Sequence, residues 1–226
     1  MTGAHDISAD EVVERKTTRD ELLRNSVSSK ISRIQGALLG ENPRTQARAR
    51  AILAKLRKAA SRQREFDPQA WQLVLGGTGL IAQEDDELLP AELQGSSNSA
   101  SEHERAAYTA IVTYAIHQQS QQKRMHQPGK RFATAVGELV RDTTPSVKTR
   151  FDSLANAKEA DATAYHLRSL VTLLRSAEIG FDYGLLAVDL KRLSHARTRQ
   201  RVLIRWSRDF VNGYQPRKPE ASDSAA

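Results

Sequence analysis

The sequence predicts an all-α protein built as two helical bundles with eight or nine helices. Three observations predict it: helix-start signatures recur along the chain, apolar residues return at spacings of three and four, and strand-like alternation is sustained nowhere.

The first helical pattern runs through Leu22, Leu23, Ser26 and Val27 to Ile31, Ile34 and Leu38. The second, "ENPRTQARARAILAKLRKA", opens on Asn42 as N-cap, with Pro43 at the first helical position, where its missing N–H costs nothing. Asp67 and Pro68 repeat that arrangement before Trp71. "SEHE" offers Ser101 and Glu104 as a capping box. Thr144 with Pro145 opens another segment, and Asp161 and Asp182 are the expected N-caps further on. Leu167, Leu170, Val171 and Leu174 form the apolar face of the helix after Asp161. Together with Trp71 and Trp206, the leucines at 167, 170 and 174 are assigned to cores.

Two breaks divide these elements. Residues 90–101, "PAELQGSSNSAS", are rich in Ser and Gly and are expected to form a flexible internal loop. "RDTTPSVK", residues 141–148, is a shorter break. The expected organisation is an N-terminal helical domain over residues 10–140, a C-terminal bundle over 145–211, and a polar, disordered tail over 212–226.

Composition narrows the chemistry. The 226 residues include no cysteine, which removes disulfide frameworks, thiolate metal sites and cysteine nucleophiles. No run approaches the roughly 18 apolar residues of a membrane span. "MTGAHDISADEVVERK" lacks the apolar centre of a signal peptide, so a cytoplasmic protein is expected. Formal net charge is +7, which favours a polyanionic partner.

The distribution of charge says more than the total. From Arg44 to Arg64 there are eight basic residues (Arg44, Arg48, Arg50, Lys55, Arg57, Lys58, Arg62, Arg64) and no acid; from Lys191 to Arg208 there are seven (Lys191, Arg192, Arg197, Arg199, Arg201, Arg205, Arg208), again with no acid. Lys123, Arg124, Lys130 and Arg131 form a smaller group, and acids gather in "QEDDELLPAE" at 83–92. At 100° per residue, Ala49, Ile52, Leu53, Leu56 and Ala60 share the docking side of the second helix. Arg44, Arg48, Lys55, Lys58 and Arg62 run along one flank, and Arg50, Arg57 and Arg64 along the other. In the helix after Asp161, Arg168, Thr172 and Arg175 line the edge of the apolar face. Arginines held by a packed helix suit bidentate phosphate contacts.

Catalytic motifs are weak. "AWQLVLGGTGL" ends on Gly76, Gly77 and Gly79 but matches neither a Walker A loop nor a dinucleotide loop, so its glycines are read as the end of the helix begun at Asp67. His103 is not followed by a second histidine at metalloprotease spacing, since Ala107 stands there. His5 with Asp6 is isolated, and His117 and His126, bracketing "QQSQQKRM", are given a surface or structural role. Neither catalytic residue, metal nor cofactor is expected. Aromatics make up 5% of the chain and sit in helices, which disfavours the stacking platforms of single-strand binders. Backbone contact by Arg and Lys is what remains, largely independent of sequence and steeply salt-dependent.

The segments "AWQLVLGGTGL", "IHQ", "MHQPGKRFATAVGELV", "SVKTRFDSLANAKEADATAYHLRSLVTLLRSAEIGFDYGLLAVDLKRL" and "RWSRDFV" occur in an order that resembles the small subunit of the type I-E CRISPR surveillance complex, the CasB family of Cascade. The resemblance covers about residues 43–211 and is most specific over 146–211; these are packing motifs rather than catalytic ones. It implies a non-catalytic subunit that pairs with a second copy of itself and assembles with the large subunit, the backbone subunits and the guide RNA. It also implies that a basic surface holds the guide–target hybrid and the displaced DNA strand, while a separate helicase-nuclease cleaves. The residues expected at the nucleic-acid backbone are Arg57, Lys58, Lys123, Arg124, Lys130, Arg131, Arg150, Arg168 and Arg175. Arg199, Arg201, Arg205 and Arg208 rank lower, on a helix that could face a neighbouring subunit. A helical DNA-binding regulator outside a CRISPR complex and a helical enzyme are the competing readings.

Overall fold

The computed structural model describes residues 17–61, 67–80, 89–96, 98–143 and 146–216. His5 and Asp6, Arg62 and Arg64, residues 83–88 of the acidic segment, and Thr144 with Pro145 lie outside them. Among the described residues there are nine α-helices: α1 (Arg19–Leu39), α2 (Pro43–Ser61), α3 (Pro68–Leu75), α4 (Glu102–His117), α5 (Phe132–Asp142), α6 (Ser146–Asn156), α7 (Ala160–Ser176), α8 (Tyr183–Leu193) and α9 (Ala196–Tyr214). A single 3-10 turn (Ala91–Leu93) and two isolated bridges complete the secondary structure, with no strand ladder among these residues. The all-α class stands.

Most helices begin where their local chemistry says. Asn42 accepts from the Arg44 N–H at 2.9 Å, and Asp67 accepts from the N–H groups of Gln69 and Ala70. Ser101 and Glu104 form the reciprocal capping box of α4. Asp182 accepts from Gly184 and Leu185 at the start of α8. A second capping box, Thr18 with Glu21, opens α1. Asp161 is an exception. α7 begins one residue earlier, with Glu159 in the extended cap position and no side-chain cap bond, so Asp161 lies in the first turn. There its carboxylate still faces the positive end of the helix dipole without capping an N–H.

α1 belongs to the bundle, burying Leu23, Val27, Ile31 and Ile34 against α2, α4 and α8. α4 is the central helix and touches α1, α2, α3, α7 and α8. Its buried Ala106, Ala107, Ala110 and Ala115 let neighbours approach from several sides. Trp206 is buried in α9 and donates from Nε1 to Asp189 at 2.8 Å, as a core tryptophan must. Leu167, Leu170 and Leu174 are fully buried. Trp71 departs from expectation: it is half-buried, its ring 5.2 Å from that of Tyr108. α3 has only two turns at the edge of the bundle, and Ala70 and Val74 take its buried positions.

Two close helix contacts were not visible in the apolar pattern. α5 crosses α9 where both carry glycine: a Cβ at Gly137 would stand 2.2 Å from the Phe210 carbonyl oxygen, and one at Gly213 would stand 2.0 Å from that of Thr134. This contact carries α9 to Tyr214, three residues past the predicted edge at 211. The second contact closes α3. Its terminal carbonyls at Leu73, Val74 and Gly76 accept from Nζ of Lys30, a lysine only 3% exposed, at 3.1, 2.5 and 2.5 Å. The glycine-rich stretch is therefore a helix end, and a buried ammonium at the negative end of the dipole fixes it. Gly76 itself has φ −90°, an ordinary conformation.

Candidate nucleic-acid interface

α2 buries Ala49, Ile52, Leu53, Leu56 and Ala60, which fixes the rotation of the helix. That rotation leaves Arg44, Arg48, Arg50, Lys55 and Lys58 exposed and sets Arg57 at the margin of the core. Burial of Leu167, Leu170, Val171 and Leu174 orients α7 in the same way and puts Arg168 at its margin. The two arginines line one open groove of about 370 Å³, together with Ile116 of α4, Gln119 just after it, and Tyr165, Ser169 and Thr172 of α7. Among the described residues neither guanidinium has a carboxylate within ion-pair distance, although Asp161 exerts a weak favourable field on Arg168. Burial pushes both groups below the ordinary guanidinium value, with no loss of charge near neutrality.

Two further predicted residues reach the same groove through neutral partners. Arg150 donates to the Ser169 hydroxyl at 2.6 Å. Arg175 donates to Gln119 Oε1 at 3.1 Å and to the Ile116 carbonyl at 3.4 Å. Such bonds position a guanidinium without neutralising it. Arg57 also borders an adjoining cleft of about 310 Å³ with Arg50 and Gln118 to Gln122, so the basic surface continues past the groove.

The turn around His126 is different in kind. Lys123 pairs with Glu178 at 2.5 Å, Lys130 with Glu138 at 2.6 Å and Arg131 with Asp209 at 3.7 Å. Arg124 is exposed, and none of the four lines the groove. The turn is locked to the scaffold: Gln127 donates to the Phe181 carbonyl, Phe181 to that of Met125, and Gln35 brackets the His126 backbone through both ends of its amide. His117 and His126 are buried beneath it. Nδ1 of His117 lies 2.9 Å from the Tyr183 hydroxyl, and Nδ1 of His126 accepts from the Tyr183 N–H at 3.2 Å. Burial, reinforced by Arg175, drives His117 down to about 3, which keeps it neutral.

The basic run from Lys191 to Arg208 is largely tied inward. Arg192 pairs with Asp20 at 2.7 Å and Lys191 reaches the same carboxylate at 3.3 Å. Burial opposes the charge on Asp20, yet these two cations hold its carboxyl below the usual range. Arg205 pairs with the buried Asp189, and Arg199 donates to the carbonyls of Ala155 and Ala157 at the end of α6. Arg197, Arg201 and Arg208 remain exposed.

Sequence reasoning missed Tyr165, Gln119 and Ser169 as groove residues. Tyr165 is 56% exposed, and its position three residues before Arg168 was the available signal.

An all-helical scaffold with a carboxylate-poor basic groove is the class of protein that fold and site define. The family model for CRISPR-associated protein Cse2 matches residues 52–210. The crystal structure of CasB from Thermobifida fusca is similar at 31% identity and a TM-score of 0.63, over 84% of this chain and 97% of that one. No curated protein sequence matches significantly. The chain belongs to the CRISPR-associated Cse2/CasB family, that of the Cascade small subunit, and membership implies a place in a Cascade complex. No helix among the described residues is long and apolar enough to cross a membrane.

Proposed function

We propose that this protein is the non-catalytic small subunit of a type I-E Cascade complex and that the α2–α4–α7 groove holds nucleic-acid backbone during target binding. One observation carries the reading: Arg57 and Arg168, from helices far apart in sequence, converge half-buried on one groove with no carboxylate partner among the described residues. Keeping two such cations together without an acid disfavours the isolated fold, and phosphate oxygens would offset that cost. Arg150 and Arg175 extend the positive edge, and Lys58, next to Arg57, and Arg124 add exposed charge. Lys123, Lys130 and Arg131 serve the same field more weakly, because each already has a carboxylate.

Within the complex the subunit would contact a second copy of itself and the large and backbone subunits, and would hold guide RNA, target strand and displaced strand through phosphates. Exchange of a DNA duplex for a guide–target hybrid is nearly balanced in energy, so backbone contacts of this sort can decide whether the R-loop persists. Base pairing reads the sequence, and no base-reading motif is needed.

The test uses the assembled complex and a matched DNA duplex. With Arg57→Glu and Arg168→Glu combined, R-loop affinity should fall at least about tenfold, and the slope of log affinity against log salt should shrink by about 1.4–1.8 for two lost phosphate contacts. Unchanged affinity and slope in a complex that still contains the subunit would remove the groove from the interface.

A further inference from the structure

A second cleft, of about 330 Å³, opens beside the first turns of α4, α7 and α9 and shares no lining residue with the groove around Arg57. Arg105 of α4 and Lys158, just before α7, stand on its rim; both are exposed and neither forms an ion pair among the described residues. Arg199 adds a third cation, already oriented by the Ala155 and Ala157 carbonyls at 2.6 and 2.8 Å. Thr109, Thr163 and Ser194 also line the cleft, each hydroxyl donating its one proton to a backbone carbonyl, of Arg105, Glu159 and Lys191 respectively. The one acid lining the cleft, Glu102, is engaged by His195 and lies 3.8 Å from Lys191, which leaves the local field positive. Cations converging from separate elements on one cleft are an arrangement that backbone phosphate contacts use.

We infer that this α4–α7–α9 cleft is a second phosphate-binding site, in which Arg105 and Lys158 grip nucleic-acid backbone beside the fixed guanidinium of Arg199. The inference rests on the nucleic-acid reading above but on a different set of residues. Because α7 contributes to both sites, Ala160 and Thr163 to this cleft and Arg168 to the groove, it would be a common support for two backbone contacts. The sequence carried no sign of this, since Arg105 and Lys158 lie outside all three basic clusters.

The experiment measures matched-duplex binding by assembled complexes carrying Arg105→Glu with Lys158→Glu, Arg57→Glu with Arg168→Glu, or all four. The cleft pair should lower affinity about tenfold and reduce the salt slope by about 1.4–1.8, and all four together should lose about the product of the two effects. Loss of affinity in the groove pair alone, with the cleft pair like wild type, overturns the second site and leaves the proposed function standing. Loss in the cleft pair alone supports the second site and overturns the role of the groove. No loss in either pair overturns both. Arg105→Gln with Lys158→Gln, milder changes at exposed positions, should give the same reduction in salt slope, and the thermal midpoint of the isolated subunit should stay at the wild-type value. An affinity loss that follows a lowered midpoint, with the salt slope unchanged, also overturns the site.

Discussion

The acid-free basic runs of α2 and of α8–α9 are alike in sequence and unlike in the folded protein. Along α2, Arg57 reaches Arg168 across a groove with no carboxylate on either guanidinium among the described residues. Along α8–α9, Lys191 and Arg192 close on Asp20 from more than 150 residues away, Arg205 on Asp189, and Arg199 on two carbonyls. An acid-free stretch of chain is not an acid-free stretch of surface. What separates a structural cation from one available to a ligand is the partner that the fold brings to it.

The largest effect is expected where a cation is most embedded. Arg205→Ala strands the buried Asp189 carboxylate, already pushed up by burial, with only Trp206 as hydrogen-bond partner among the groups that hold it now. Stability should fall by about 3 kcal/mol. Urea denaturation of the isolated subunit checks this, and a loss under 1 kcal/mol would mean that the α9 cations are as dispensable as those of α2.

Next comes acid. His117 is held neutral near pKa 3 in the folded protein, against about 6.5 when exposed, so the unfolded chain binds more protons between these values and stability falls as the pH drops through that window. Its contribution at pH 5 relative to pH 7 is about 2 kcal/mol. His126 and His103 shift in the same direction. Urea midpoints at the two pH values should differ markedly in the wild type and less in His117→Phe. Groove arginines do not titrate here, so DNA affinity of the intact complex should change far less over the same range.

A smaller effect sharpens the comparison from the other side. Arg57→Met and Arg168→Met keep the apolar stem and remove a half-buried charge. Subunit stability should remain within about 0.5 kcal/mol of wild type or rise slightly, while R-loop affinity falls. Destabilisation by 2 kcal/mol or more would reclassify these arginines as structural, like Arg205.

The smallest change concerns Glu178, which follows α7 in the left-handed region at φ 56° and pairs with Lys123 at the surface. Glu178→Gly should stabilise by about 0.5–1 kcal/mol, since an exposed ion pair is worth little against relief of the backbone. A thermal midpoint that drops instead would show the Lys123 pair to be stronger than surface pairs usually are.

Much of the fold was legible because it is encoded within single turns. Asn42, Asp67, Ser101 with Glu104, and Asp182 act on N–H groups two or three residues away, and the apolar faces of α1, α2 and α7 follow from periodicity alone. Asp161 shows the resolution of such signals, since a cap can move by two residues while the helix remains. Trp71 shows another limit: burial depends on what lies opposite, and α3 is at an edge.

For the interface, the sequence placed Arg57, Arg168, Arg150 and Arg175 on polar margins of packed helices, and all four meet at or beside one groove. It gave no means of separating them from Arg131, Arg199 or Arg205, whose partners lie 16 or more residues away, or from Lys130, whose partner Glu138 lies on the next helix. Arg105 and Lys158 were likewise invisible, because nothing local distinguishes an exposed side chain that lines a cleft from one that faces open water. By itself the sequence determined helix starts, docking faces and the total positive charge, through interactions spanning a few residues. Only the tertiary structure decided which cations are neutralised and which share a groove, because charge pairing depends on distance in space, and the packing of α1, α4, α7 and α9 sets that distance.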